Sequence, residues 1–254
     1  MDRLGARLNT DNMKTSLDIV NILGKPLYCT LDAVHLVKLV RNAFGDLKKF
    51  TNAKGETISW EYIEKLHCLQ LKEGVHCGNK LTQKHIDWKK DPMKVQYAVQ
   101  TLSKSVSTAI AFCRDKLKLA DFEGSEATCE FLNVFNDLFD VLNSKSVYGK
   151  FLKAAMAEKN QEYWNPVLEH SKEYILGLSH FGSNKPLVNG QSRQAFAGVV
   201  SLISSVRSLF NDYVLSGALK YLCTYKLSQG TYRLHFQLQK SNIYYITLFD
   251  LKCA

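Results

Sequence analysis

No run of apolar residues in this 254-residue chain approaches the roughly 20 needed to cross a bilayer. The opening Met1-Asp-Arg-Leu-Gly5 also lacks the apolar stretch of a secretion signal, so the expectation is an intracellular protein without a membrane partner. Internal repeats and low-complexity tracts are missing. The seven cysteines are odd in number and irregularly spaced; this argues against a disulfide framework and for a reducing compartment. His67-Cys68, His76-Cys77 and His85 offer zinc-type ligands, but their spacing matches no common finger, and solvated or core roles suit them better. A glycine-rich phosphate loop of the Walker type is absent as well, so hydrolysis of a nucleotide by that route is excluded.

What is present is an ordinary globular composition, 46% apolar, in a chain long enough for one large domain or two modest ones. The formal charge of +9 and pI near 9.1 make an anionic partner plausible, since lysine and arginine bind polyphosphate by releasing its counterions. The basic residues are spread and form no long run, so nucleic acid is favoured over an acidic protein only by composition.

Along the chain, Leu27 to Leu31 reads as a short buried strand ending at Asp32, and Leu36, Val37, Leu39 and Val40 carry a helix that stops near Gly45. Asp32 suits two roles: a carboxylate at a strand end, where α/β folds gather catalytic groups, or a helix N-cap. Thr51 to Glu56 is rich in turn residues, and a helix follows to about Glu73. Val95, Ala98, Val99, Leu102, Val106, Ala109 and Ile110 predict one long core helix over 93–112. A helical pattern covers Glu162 to Leu178, Phe181 to Gly190 reads as a linker, and a long helix centred on Phe196 to Phe210 continues helically through Leu215 to Leu227. The last twenty or so residues turn β-rich.

The stretch Phe131 to Asn143 carries two patterns at helical spacing. Phe131, Leu132, Val134, Phe135, Leu138 and Leu142 make a wide apolar face. Asn136, Phe139, Asp140 and Asn143 fall at i, i+3, i+4 and i+7, a strip of two amides, a ring and a carboxylate. Such a strip suits a planar, donor-rich heterocycle such as guanine, with the ring stacking and the carboxylate accepting a pair of N–H groups. It also reads as the solvated side of a two-sided helix.

Thr10-Asp-Asn-Met-Lys-Thr15, Asp32-Ala-Val-His-Leu-Val-Lys-Leu-Val-Arg-Asn42, Met93-Lys-Val95 with Ser103-Lys-Ser-Val106, Phe122-Glu-Gly-Ser-Glu-Ala-Thr128, Asn136 to Ser144 and Tyr221 to Gln229 follow one another in order. Together they resemble successive blocks of P-element-type transposases, a group that includes the THAP-domain transposases of animals. The resemblance implies a mainly α fold: a helical GTP-binding insertion domain over 46–180, flanked by partial RNase H-like α/β elements at 1–45 and 181–230, with a divergent tail at 231–254. It implies DNA transposition and integration by two Mg²⁺ ions held on acidic residues, DNA transposon ends as partner, a nuclear setting and a homo-oligomer.

Carried over residue by residue, the resemblance makes Asp32 a catalytic and metal-holding acid. It places Lys94, Val95, Ser103, Asn136, Phe139, Asp140 and Asn143 around GTP, with Lys94 balancing phosphate charge and Asp140 reading guanine. The family's first catalytic Asp is expected upstream of the Asp11-Asn12 block and not in this chain. The final Asp-His-x-Glu motif is replaced, with Gly230 in place of the Asp and Arg233 in place of the Glu. An Arg at a metal site repels instead of ligating, so cleavage is expected to be lost. The THAP zinc module is absent from these residues too. The competing expectation is a non-enzymatic helical protein that binds nucleic acid or a protein partner as a basic scaffold.

Overall fold

A computed structural model describes residues 16–20, 26–74, 78–190, 192–228 and 246–248. In chain order the elements are β1 (Ser16–Val20), β2 (Pro26–Leu31), α1 (Ala33–Leu47), β3 (Lys49–Thr51), β4 (Thr57–Ser59), α2 (Glu61–Glu73), α3 (Gln83–Ile86), α4 (Val95–Thr101) and α5 (Lys104–Asp115). There follow α6 (Glu126–Leu142), α7 (Gln161–Leu176), β5 (Ser179–His180), α8 (Arg193–Leu209), a π-helical turn at Phe210–Leu215 and β6 (Ile246–Leu248). The fold is mainly α, as the helical periodicities predict.

The chain divides into two compact units. The first comprises residues 1–36, 139–172 and 196–254; the second comprises 37–138 and 173–195. The divisions fall inside α1, α6, α7 and α8, each of which contributes residues to both.

The second unit is built on an aromatic cluster. Phe44 of α1 meets Phe50 of β3, Trp60 and Phe131 of α6 edge-on, with ring centroids 5.0–5.3 Å apart. Phe131 also packs on Phe50 at 5.1 Å and on Phe135 at 4.7 Å, and all these rings are buried. This is the apolar face read from the 131–142 spacing, and it seats α6. Beside it lies a small antiparallel sheet in the order β4-β3-β5. The turn residues at 51–56 close the β3-β4 hairpin: the Asn52 side chain accepts from the Lys54 and Glu56 amides at 3.0 and 2.9 Å, and Gly55 takes φ 79°. Three-residue strands are too short to show alternation, so the sequence does not announce them.

Two predicted long helices are interrupted. The helix expected over 93–112 is α4 and α5, split at Leu102-Ser103, because the Ser103 hydroxyl accepts from the Val106 amide at 3.4 Å and donates to the Gln100 carbonyl at 2.8 Å. A serine that serves as N-cap offers the backbone an alternative to the continuous ladder. The helical continuation expected over 215–227 is absent: the π turn ends at Leu215, Gly217 adopts φ 77°, and only a 3₁₀ turn at Thr224–Leu227 follows. The predicted linker at 181–190 is tied down, since Leu187 and Val188 are buried and the Leu187 amide donates to the Leu178 carbonyl at 2.9 Å.

The first unit carries an antiparallel sheet in the order β1-β2-β6, with Cys29, Thr30 and Leu31 in register with Leu248, Thr247 and Ile246. Strand β6 lies within the β-rich ending read from the sequence; the rest of that ending lies outside the described residues. Helix α8 buries Phe196, Val199, Val200, Ile203 and Val206. A Cβ on Gly198 would come within 2.6 Å of Leu36, so this helix approaches the start of α1 through a glycine. Trp164 stands edge-on to Phe210 at 4.5 Å, and the Tyr28 hydroxyl donates to Asp212 on the π turn. Burial, reinforced by that bond to Asp212, pushes the Tyr28 phenol up.

Candidate functional site

Helix α6 fixes the candidate strip. Its buried face takes Phe131, Leu132, Val134, Phe135, Leu138, Val141 and Leu142 into the core, which leaves Asn136, Phe139 and Asp140 half-buried on another face. Asn143 is half-buried too and lies one residue past the helix end. The strip is thus neither core nor open surface, the setting in which a polar side chain can meet a ligand out of bulk water.

Individual partners sharpen this. The Asn136 carbonyl oxygen accepts from the Lys104 amide at 3.1 Å, at the first turn of α5, while its amide donates to Asp137 at 3.0 Å. Ser103, the N-cap of α5, therefore stands one residue from a backbone group that Asn136 holds. Asp140 forms an ion pair with Lys153 at 3.6 Å. Lys94 is exposed and Val95 opens α4.

The segment that leads to Lys94 is clamped by Arg41, which no sequence signal singled out. Arg41 is fully buried on α1, its guanidinium donating to the Asp91 and Pro92 carbonyls at 3.3 and 3.2 Å and to the Asn42 side chain at 2.8 Å. The Trp88 ring lies 5.8 Å from it. Burial brings its pKa down to about 10, offset in part by the charge of Asp91. Thr224, from the quoted Tyr221 to Gln229 block, was not named as a site residue either. Its buried hydroxyl donates to the Val141 carbonyl at 2.6 Å and receives the Ser144 amide at 3.0 Å, fixing the end of α6 next to Asp140 and Asn143.

Asp32 follows β2 and accepts from the Val34 amide at 2.8 Å, so its carboxylate caps α1. Among the described residues no group of three or more His, Cys, Asp and Glu side chains converges as a metal site. Among the described residues Asp32 stands as a single carboxylate engaged in a helix cap, which does not by itself make a two-metal site. Gly230 and Arg233 lie outside the described residues. Of the zinc-type residues, His67 bonds Gln83 at 3.2 Å, His85 bonds Gln100 at 3.0 Å, and Cys68 is exposed. His76 and Cys77 lie outside the described residues. No described helix is long and apolar enough to cross a membrane.

Residues 34–155 match the family described as the TNP-like, GTP-binding insertion domain. Over 237 residues, 92% of this chain, the sequence is 28% identical to the human protein "DNA transposase THAP9". The chain is similar to P-element-type transposases. It is also 24% identical, over 213 residues and 83% of its length, to the "Transposable element P transposase" of Drosophila melanogaster. The fold matches a chain of the Drosophila P element transposase strand transfer complex with a TM-score of 0.70 at 23% identity, covering 85% of this chain and 47% of that one. The chain spans about a quarter of the length of the curated relatives it matches, 26% and 27%.

Proposed function

We propose that the chain binds a guanine nucleotide through the strip on α6, and that it associates with DNA without cutting it. The observation that carries the reading is the half-buried Asn136, Phe139 and Asp140 within the part of the chain that matches a GTP-binding insertion family. The donor and acceptor set fits the base. Phe139 stacks on the purine, Asp140 accepts from the N1–H and the exocyclic amine, and Asn136 and Asn143 meet the remaining polar atoms. Lys94 carries the phosphate charge. A bidentate contact of this kind is worth about 1–3 kcal/mol of discrimination, so Asp140 is the residue that prefers guanine over adenine. With no Walker loop in the sequence, the nucleotide organises structure and is not turned over.

DNA as partner, and the nucleus as compartment, rest on the transposase relationship and on the +9 charge. Loss of cleavage rests on Gly230 and Arg233 standing where the family's acids belong. Calorimetric titration with GTP and ATP tests the nucleotide. GTP should bind more tightly than ATP by at least about tenfold, and Asp140→Ala should erase that ratio. Equal affinity of the variant and the parent for GTP removes the guanine assignment. Nicking or joining of DNA by the purified chain with Mg²⁺, abolished by Asp32→Asn, would overturn the non-cutting part.

A further inference from the structure

Beyond α6 the first unit holds a loop whose composition and geometry the nucleotide reading does not use. From Val141 to Ala157 the chain has three lysines and no acidic residue; from Tyr213 to Ser228 it has two lysines and again none. The fold lays these two stretches together. Met156 and Leu222 pair through their backbones at 2.8 and 2.9 Å, the Tyr225 amide donates to the Ser144 carbonyl at 3.0 Å, and the Lys145 ammonium sits 4.4 Å over the Tyr225 ring.

On this base the loop displays aromatic rings. Tyr148 is 93% exposed and Phe151 73%, and Tyr221 of the neighbouring stretch is exposed at 45%. Phe151 does so at φ 49°, a left-handed conformation that a bulky residue rarely adopts. The loop is nonetheless closed. The Gly149 and Ala155 amides both donate to the Ser146 carbonyl, at 3.2 and 2.9 Å, and the Ala154 amide donates to the Phe151 carbonyl at 3.1 Å. A Cβ on Gly149 would strike the Lys153 carbonyl, so the tight course needs glycine there. A strained backbone held in place to present a ring to solvent points to a binding role for that ring.

Exposed rings set among lysines are the features with which proteins hold an unpaired strand: bases stack on the rings while the cations follow the phosphates. Duplex has its bases stacked internally and offers the rings nothing comparable. We infer that Tyr148 and Phe151, with the exposed Lys150 between them in the loop, form a site for single-stranded DNA. The inference deepens the DNA part of the proposed function and rests on it. Of the nearby acids, Asp140 is paired with Lys153, and Glu158 and Glu162 lie on the next 3₁₀ turn and on α7.

Fluorescence anisotropy with the full chain, a labelled dT20 strand and a 20-base-pair duplex tests this. The parent should prefer dT20. Tyr148→Ala/Phe151→Ala should weaken dT20 by at least about tenfold and leave duplex within about twofold. Lys150→Gln should weaken both probes and flatten the salt dependence. Phe151→Leu keeps the apolar bulk and removes the π face, so it should lose part of the dT20 affinity with the loop intact, as circular dichroism would verify. Unchanged dT20 binding by the double aromatic variant overturns the inference, as does a parent that binds both probes alike. Tighter binding of rU20 than dT20, or a parent dimer that the aromatic variant dissolves, names a different occupant and also overturns it. A parent that binds neither probe fails the DNA reading itself.

Discussion

A single hydroxyl, that of Thr224, holds the Val141 carbonyl and the Ser144 amide in the interior of the first unit, with the Ser144 hydroxyl 2.9 Å away. Thr224→Val keeps the shape and strands both backbone groups, each of which costs about 1–3 kcal/mol when buried and unpaired. Urea denaturation should therefore show a loss of at least about 2 kcal/mol, with Thr224→Ser close to the parent. A valine variant as stable as the parent would show that water replaces the hydroxyl. Because Asp140 and Asn143 flank this anchor, weaker GTP binding should accompany the loss. Neither residue Thr224 nor Arg41 is distinctive in a linear reading; each matters through backbone groups that lie 80 or 50 positions away. Asp140, by contrast, was legible, because i to i+4 spacing on one helix is a property of the sequence alone.

Helices here were readable in position and less so in extent. The apolar spacings that mark α1, α2, α6 and α8 are burial patterns of 3.6 period, and packing buries most of these residues, although Leu39 stays half-buried and Leu71 is 66% exposed. Ends and interruptions depend on single polar groups, as Ser103 shows by dividing α4 from α5. Gly45 illustrates how one element's packing hides in a residue type: it stops no helix, since α1 runs to Leu47, and a Cβ there would overlap the Trp88 indole. Alanine gains about 1 kcal/mol over glycine in a helix, whereas forcing apart a packed ring costs about 1–3 kcal/mol. Trp88 is 7% exposed and has a rigid ring, so overlap wins. Gly45→Ala should lower stability by up to about 2 kcal/mol in a denaturant titration; a raised midpoint would refute the close approach.

Across the whole molecule, pH reports on one buried histidine of the second unit. The His85 ring accepts the Thr82 amide on Nδ1 at 3.0 Å and meets Gln100 through Nε2 at 3.0 Å. Burial lowers its pKa, and the bonds to Gln100 and Thr82 offset this only in part, so the native ring is neutral. The unfolded chain takes up that proton below about pH 6.5. His85 thus contributes its full stability above about pH 6.5 and loses it as pH falls towards the lowered folded value. Between pH 6.5 and 5 the parent should lose stability more steeply than His85→Asn, by at most about 1.4 kcal/mol per pH unit, in parallel denaturant melts. Equal slopes would place the titration elsewhere. By itself the sequence determined the mainly α fold, the family relationship and the polar strip of α6, since these follow from local periodicity and from the order of residue types. Only the tertiary structure decided that Arg41 clamps the approach to Lys94, that Thr224 closes α6, and that two lysine-bearing stretches far apart in sequence pack against each other. Those contacts join positions 50 to 80 residues apart, and no local pattern encodes which distant backbone group a buried side chain will satisfy.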